Sequence, residues 1–152
     1  MTLAISILIT FILMEGVAWA MHKYIMHGPF WHLHADHHDK RLMIYGFFER
    51  NDAFFIFFSV IAITAFALWS IFGWTIPLGI GIGVSIYGAV YFVIHDLFIH
   101  QRIKIWRNTK NPYLLALRKA HKAHHKHLNK EDGECFGMLW VPFKYYKQTF
   151  KV

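Results

Sequence analysis

The sequence predicts an all-α integral membrane protein with about three transmembrane helices, together with cytoplasmic or interfacial helices that carry a histidine-rich dimetal site. Hydrophobic residues make up 56% of the 152 residues and charged residues only 16%, which is too apolar for an ordinary soluble domain of this length. Three apolar stretches are each long enough to cross a bilayer. Twelve histidines are concentrated beside these stretches. We expect a single membrane-embedded domain over residues 1–152.

The first apolar stretch, residues 3–21, is interrupted only by Glu15 and begins a predicted spanning helix of ~20 residues. A cleaved signal peptide is the alternative, but no basic residue precedes the apolar run. A carboxylate is costly within a bilayer, so Glu15 is expected either to bond a neighbouring helix or to support the histidine site, and we favour helix packing. Gly28-Pro29 is predicted to end this helix.

The second predicted span, residues 53–72, contains no charged residue. Before it, residues 39–52 mix charges and aromatic rings, which suits an interfacial segment that ends with Asn51 or Asp52 as the N-cap of the span. A short break at residues 73–77 then predicts an antiparallel helical hairpin.

The third predicted span covers residues 78–94 and is rich in small residues. Its Gly-Ile-Gly-Ile-Gly run lacks the GxGxxG spacing of a nucleotide-binding loop. Small residues four positions apart, as in Gly79/Gly83 and Gly81/Ser85, instead favour close approach between helices in lipid.

Basic and aromatic residues dominate the chain after Gln101. A helix is predicted from Tyr113 through His127. The tail, residues 136–152, has the composition of a segment at the membrane surface and is not predicted to span it.

All sixteen Lys and Arg residues fall on one face of a three-span arrangement. Four lie between residues 23 and 50, twelve between residues 102 and 151, and none precedes Lys23 or lies in the 73–77 break. By the positive-inside rule this face is cytoplasmic, and the same arrangement puts every histidine there. The net charge of +7 is thereby explained without a nucleic-acid partner. The single cysteine, Cys135, excludes an intrachain disulfide and a CxxC metal motif.

Ten histidines form four boxes with repeated spacing, HxxxxH, HxxHH, HxxxxH and HxxHH in chain order. A lone histidine is more often a hydrogen-bonded interfacial residue than a ligand, but four matched boxes beside membrane spans indicate metal binding. His32 and His127 lie outside the boxes and are predicted not to bind metal. The predicted metal ligands are His22, His27, His34, His37, His38, His95, His100, His121, His124 and His125.

The two box types have different geometry. In HxxHH the residues i, i+3 and i+4 project from one side of a helix, so each such box is predicted to converge on a common point. In HxxxxH the two residues lie ~140° apart on an α-helix, which predicts either a pair that straddles a groove between helices or a distorted helix end. Gly28-Pro29 offers such an end for the first pair, and no comparable break follows His100.

Ten nitrogen ligands shared by two metals give each about five, which leaves roughly one open position if both are six-coordinate. This is too many ligands for an ordinary zinc pair, whereas imidazole suits iron and an open position on iron suits dioxygen chemistry. Zinc is expected as a possible substitute in a purified sample. No cofactor-binding or catalytic residue is predicted beyond the metal site. The residues expected to orient imidazoles, with capping or solvation as the alternative, are Asp36, Asp96, Glu49, Asn51 and Asp52.

These motifs resemble the fatty acid hydroxylase superfamily of membrane diiron oxygenases, and more closely the bacterial β-carotene 3-hydroxylases. The histidine boxes point to the superfamily, while the FExND stretch, the HDxxxHQR stretch and the short length point to the carotenoid branch. Residues 41–46 depart from the pattern, which would place a tryptophan before FExND. The matching segments are residues 22–28, 31–38, 48–52, 91–96, 100–102, 121–125 and 135–137.

The resemblance implies that the ten boxed histidines hold two irons, which activate dioxygen to hydroxylate carbon 3 of a β-ionone ring. β-Carotene would be converted through β-cryptoxanthin to zeaxanthin in the bacterial inner membrane. No flavin or nicotinamide motif is evident, so electrons are expected from a separate protein, and the resemblance suggests a ferredoxin with its reductase. A basic cytoplasmic face would suit such an acidic donor.

Two other functions are considered. A related enzyme would hydroxylate or desaturate an acyl lipid or a sterol. A histidine-rich metal or proton transporter belongs to a different class, and it would need polar residues along a path across the membrane. Only Glu15 extends the polar set into the spans, which argues against transport. The oligomeric state and the assignment of each histidine to a metal are left open.

Overall fold

The computed structural model describes residues 1–43, 47–127 and 131–149, and these contain helices and no β-strand. The predicted all-α class is therefore confirmed. The α-helices are α1 (Thr2–Ala20), α2 (Trp31–His38), α3 (Ala53–Phe72), α4 (Thr75–Tyr91), α5 (Pro112–His124) and α6 (Phe143–Thr149). Two π-helical segments continue α1 and α4, and they cover Met21–Met26 and Phe92–Ile99. Two 3₁₀ turns lie at Lys40–Leu42 and Arg50–Asp52.

Three helical stretches are long and apolar enough to cross a membrane: Thr2–Met26, Arg50–Phe72 and Thr75–Ile99. The α-helical part of the second, Ala53–Phe72, coincides with its prediction. The third starts before the predicted residue 78, because Gly73 adopts a left-handed φ of 69° that ends α3 and only Gly73 and Trp74 lie between the two helices. Pro77 lies in the first turn of α4, where its missing N–H does no harm.

Helix α4 runs parallel to α1 and packs closely against it through two glycines. A Cβ atom added to Gly79 would lie 1.8 Å from Ser6 Oγ, and one added to Gly83 would lie 2.7 Å from Thr10 Cβ. No side chain fits at either position without moving the helices apart. The predicted close approach at Gly79/Gly83 is confirmed.

The other small pair behaves differently. A Cβ atom on Gly81 would lie 2.7 Å from the Phe66 ring, so Gly81 allows α3 to approach α4. Ser85 is exposed, and its hydroxyl donates to the Gly81 carbonyl of its own helix at 2.8 Å. The expectation that Ser85 also lies in a helix contact is therefore wrong.

The helix order brings every histidine box to one end of the bundle. The Tyr87 hydroxyl of α4 donates to Glu15 near the end of α1 at 2.7 Å, so these two helices reach the same end in parallel. The Phe55 ring at the start of α3 lies 6.1 Å from the Tyr91 ring, so α3 runs the other way. Both π-helical segments thus meet the start of α3, and this end also carries α2 and α5.

Glu15 fastens the C-terminal segment to this bundle. Its Oε1 accepts the backbone N–H groups of Met138, Leu139 and Trp140 at 2.9, 2.9 and 3.0 Å, while Tyr87 donates to Oε2. The helix-packing role predicted for this carboxylate is confirmed by its bond to α4. The backbone contacts were not anticipated.

Several boundaries differ from the prediction. Helix α5 starts at Pro112 because the Asn111 side chain accepts the N–H groups of Tyr113 and Leu114, and it ends at His124 because the following turn tightens to i→i+3 bonds. Asp52 occupies the N-cap position of α3, but its side chain accepts the Glu49 N–H instead of capping the helix. Residues 44–46 of the segment that departs from the family pattern, and residues 150–152 of the tail, lie outside the described residues.

Replacing Glu15 with alanine is expected to lower the free energy of unfolding by about 2–4 kcal/mol, because three backbone donors lose their acceptor. Tyr87→Phe is the matched control, since it removes one bond and leaves the three backbone contacts, and it should cost about 1 kcal/mol. Reversible unfolding in detergent micelles measures both values. Equal losses in the two variants would contradict the role assigned to Glu15.

Candidate metal centre

Both HxxxxH boxes begin in a π-helical segment and end at the residue that follows it. The His27 N–H donates to the His22 carbonyl at 3.0 Å, and the His100 N–H donates to the His95 carbonyl at 2.9 Å, so both are i→i+5 bonds. A π-helical turn takes up more residues than the ~3.6 of an α-helix, which brings i and i+5 towards one face. The ring centroids are 5.1 Å apart in the first pair and 4.6 Å apart in the second. The expected helix distortion is present in both pairs.

Gln101 makes the break after His100 that the sequence did not reveal. It has a left-handed φ of 56°, and its side-chain amide donates to the carbonyls of Phe98 and Ile105 at 2.6 and 2.9 Å. A glutamine is not a typical residue for this conformation, so the turn could not be inferred from the residue type.

The HxxHH boxes do not converge on one point as predicted. Residues i and i+4 face one group of ring nitrogens, while residue i+3 faces another. The Nε2 atoms of His34 and His38 are 3.1 Å apart, whereas His37 packs on the His100 ring at 4.0 Å. The reason is angular, because i and i+4 differ by ~40° on a helix and i+3 lies ~100° from i+4.

The box on α5 repeats this division in the opposite sense. The Nε2 atoms of His121 and His125 are 2.9 Å apart, and His124 Nε2 lies 3.1 Å from His27 Nε2. Each HxxHH box therefore contributes to both sides of the centre.

Nine predicted ligands form two groups in which the nitrogen atoms lie within 4.8 Å of one another. The tenth, His95, lies beside the second group, with its ring 4.6 Å from that of His37 and 4.7 Å from that of His121. We call these the first and second histidine groups. The first contains His22, His27, His34, His38 and His124, and the second contains His37, His100, His121 and His125.

Five of the imidazoles are oriented by a hydrogen bond at Nδ1, which directs Nε2 towards the interior of the centre. Such bonds fix the tautomer and ring orientation that metal-binding histidines need. The acceptors are Phe136 O for His22 (2.9 Å), Asn51 Oδ1 for His34 (2.7 Å), Glu49 Oε2 for His37 (2.7 Å), Asp96 Oδ2 for His95 (3.1 Å) and Glu134 O for His124 (3.1 Å).

The arrangement fits a bound cation. His22 and His34 both carry their proton on Nδ1. In the neutral rings each Nε2 atom therefore carries a lone pair, and the two Nε2 atoms face each other at a distance of 3.0 Å. No hydrogen bond can join two acceptors, whereas a metal ion would satisfy both. The Nε2 atoms of His37 and His95 are buried without a hydrogen-bond partner, which leaves them available as ligands.

Burial keeps the imidazoles on α2 and α5 neutral. It lowers the pKa of His34 to about 3, although the bond to Asn51 acts in the opposite direction. Burial, with a smaller effect of charge on neighbouring imidazoles, lowers the pKa of His124 to about 2 and that of His125 to about 4. The pKa of His37 also falls well below 6.5 for these reasons. Neutral imidazole is the form that coordinates a metal.

The five residues expected to orient imidazoles divide into two sets. Asn51, Glu49 and Asp96 contact histidine rings as described above. Asp36 instead accepts the Arg50 N–H at 2.6 Å, and Asp52 binds Arg102 through both carboxylate oxygens at 2.6 and 3.1 Å.

Two backbone carbonyls, of Glu134 and Phe136, were not predicted to orient imidazoles. A carbonyl is present at every residue, so sequence motifs give no signal for this role. Glu15 holds the chain segment that carries these two carbonyls, because it accepts the backbone N–H groups of residues 138–140.

Arg102 connects the carboxylates behind the second histidine group. Its side chain is 5% exposed and lies 3.2 Å from Glu49 Oε2, 2.6 Å from Asp52 Oδ1 and 2.8 Å from Asp96 Oδ1. Burial acts to lower its pKa, but the bond to Asp52 and the charges of Asp96 and Glu49 raise it overall. One guanidinium thereby holds the two carboxylates that orient His37 and His95.

His32 and His127 are exposed and belong to neither histidine group.

The chain belongs to the fatty acid hydroxylase family, whose match covers residues 7–146. Together with the fold and the histidine groups, this membership makes the protein a membrane-bound oxygenase with a metal cofactor.

Among curated proteins, a β-carotene hydroxylase of Pantoea ananas is 38% identical over 139 residues, which cover 91% of this chain and 77% of that protein. A β-carotene hydroxylase of Paracoccus sp. (strain PC1) is 31% identical over 143 residues, which cover 93% of this chain and 86% of that protein. No solved structure matches the chain significantly.

Arg102→Gln is expected to lower the free energy of unfolding by about 3–5 kcal/mol, because it removes the cation beside the buried carboxylate of Asp96, while Glu49 keeps Lys40. Arg107→Gln changes an exposed arginine of the same segment and should stay within about 0.5 kcal/mol of the parent. Unfolding by denaturant in detergent compares the two. A loss in Arg102→Gln no larger than that in Arg107→Gln would show that the carboxylates do not depend on Arg102.

Proposed function

We propose that this protein hydroxylates carbon 3 of the β-ionone rings of β-carotene, giving β-cryptoxanthin and then zeaxanthin, with dioxygen and externally supplied electrons. The observation that carries the proposal is the similarity of more than nine tenths of the chain to bacterial proteins named β-carotene hydroxylase, at 31 to 38% identity. The histidine centre at the end of a membrane bundle supports it, because a substrate dissolved in the bilayer must be reached from within the bilayer.

The ten boxed histidines are the proposed ligands of two irons. The first histidine group supplies five, and the second supplies five when His95 is added to it. Two irons bound there would supply dioxygen activation for the hydroxylation of an unreactive C–H bond. The all-imidazole donor set suits iron, and zinc is a plausible substitute in a purified sample because it binds such ligands more tightly than ferrous iron.

The surrounding residues would keep this centre in one geometry and free of water. Outward hydrogen bonds from Nδ1 hold the imidazoles before a metal binds, which reduces the rearrangement that binding requires. Burial of His34, His37, His95 and His124, each at most 2% exposed, excludes bulk water and so limits side reactions. Asn51, Glu49 and Asp96 are proposed to act by orienting ligands.

The site is proposed to lie on the cytoplasmic side of a bacterial inner membrane. The distribution of Lys and Arg supports this side, since those among the described residues belong to the segments at the histidine end of the bundle. Electrons would come from a ferredoxin with its reductase. Exposed basic side chains beside the centre, such as Lys40 and Arg41 at 52% and 89% exposure, suit an acidic donor.

An acyl-lipid or sterol hydroxylase is the second candidate, and the name of the family favours it. A metal transporter is a weaker candidate, because the histidine groups lie at one end of the bundle. Glu15 is the acidic residue that lies within the spans away from the histidine end. Its carboxylate already accepts hydrogen bonds from Tyr87 and from backbone N–H groups.

Expression in cells that accumulate β-carotene should yield hydroxylated carotenoids only when dioxygen is present, measured by chromatography and mass spectrometry of the pigments. His124→Ala should abolish the product and lower the bound metal, because it removes a buried ligand. His127→Ala is the matched control three residues away and should remain active.

Changed acyl lipids or sterols with unchanged carotenoids would favour the second candidate. Metal uptake into liposomes without any oxidised product would favour transport. Full activity of His124→Ala would refute the proposed ligand set.

A further inference from the structure

A small cavity lies among the three spanning helices directly beneath the histidine centre. It has a volume of about 50 Å³, counted as space open to the centres of water-sized atoms. One water molecule needs ~10–15 Å³ on this measure, so the cavity has room for several groups the size of a water molecule. Met14 of α1, Phe54 of α3 and Val84 of α4 are among the residues that line it, so every span contributes a wall.

The inner end of this cavity reaches residues that contact the histidines. Asn51 lines it and accepts the Nδ1–H of His34. Tyr91 also lines it, and its ring lies 4.8 Å from the ring of His95. The cavity therefore borders one residue that contacts the first histidine group and one that contacts His95, the histidine beside the second group.

The lining residues on α3 and α4 include partly exposed ones. Phe55, Phe58 and Gly88 are half-buried, so this side of the cavity is close to the surface that faces lipid. Most of the remaining lining is aliphatic or aromatic, which favours an apolar occupant and disfavours water.

Gly88 has more free space around it than the other glycines of α4. Added Cβ atoms at Gly79, Gly81 and Gly83 would come within 3 Å of neighbouring helices, but nothing lies within 4 Å of one at Gly88. Helix packing therefore does not require a glycine at position 88. Gly88 also lines the cavity, so a larger residue at this position would change the cavity wall without meeting a neighbouring helix at its Cβ atom.

We propose that this cavity receives the ring end of an apolar polyene directly from the bilayer, and that Gly88 determines the width available to the ring. The inference rests on the proposed function for the identity of the ring. A cyclohexene ring with methyl substituents is much wider than an acyl chain, so it needs space where a slender chain does not. Met14 and Met26, flexible side chains in the wall, can adjust to enlarge the cavity around the ring.

The test uses the full chain in lipid nanodiscs and compares Gly88→Leu with Gly16→Leu. Gly16 also has nothing within 4 Å of an added Cβ atom, does not line the cavity, and precedes His22 by six residues as Gly88 precedes His95 by seven. Binding of β-carotene without dioxygen is followed by its visible absorption, and hydroxylation and metal content are measured separately.

Gly88→Leu is expected to weaken binding and reduce hydroxylation at least about tenfold, because its side chain fills most of the cavity, while Gly16→Leu stays within about twofold of the parent. Metal content should be unchanged in both variants. Gly88→Ala should weaken binding by a smaller factor, and it serves as the deciding variant if Gly88→Leu loses metal through misfolding.

Unchanged β-carotene binding in a metal-loaded Gly88→Leu variant would overturn the cavity assignment. If Gly88→Leu misfolds, unchanged binding in Gly88→Ala would overturn it. If the parent binds β-carotene without hydroxylating it and Gly88→Leu loses that binding, the cavity assignment stands and the proposed function fails.

Discussion

The structure depends on holding the Nε2 atoms of many neutral imidazoles against one another. The facing Nε2 lone pairs of His22 and His34, 3.0 Å apart, repel unless a cation lies between them, so the protein must supply the constraint before a metal does. It does so by giving five rings an outward acceptor at Nδ1. These acceptors come from three different parts of the chain, residues 49–51, Asp96 and residues 134–136, which explains why elements distant in sequence must meet at one end of the bundle.

Helix geometry then distributes the imidazoles over two groups. The π-helical segments align residues five apart, which an α-helix cannot do. The short helix α2 and the end of α5 each send i and i+4 one way and i+3 the other. Two charged side chains beyond the histidines preserve this arrangement. Arg102 forms ion pairs with the carboxylates behind the second histidine group. Glu15 accepts backbone hydrogen bonds from the segment that follows Phe136, whose carbonyl orients His22.

Much of this was predictable from sequence, for identifiable reasons. The spans follow from uninterrupted apolar length, and the candidate ligands follow from the repeated box spacing. Position along the chain did not reveal which histidines share a group, because that depends on an angle of about 100° between i+3 and i+4. The π-helical segments, the left-handed Gln101 and the carbonyls of Glu134 and Phe136 depend on backbone conformation, for which the residue types give little signal.

We propose that the two histidine groups bind two metals through imidazole. Mössbauer and X-ray absorption spectroscopy of protein loaded with ⁵⁷Fe report the number of irons and the ligands of each. We expect two irons per chain in nitrogen-rich coordination, with His27→Ala perturbing one iron and His121→Ala perturbing the other. A single iron per chain, coordination dominated by carboxylate oxygen, or the same iron perturbed by both substitutions would contradict it.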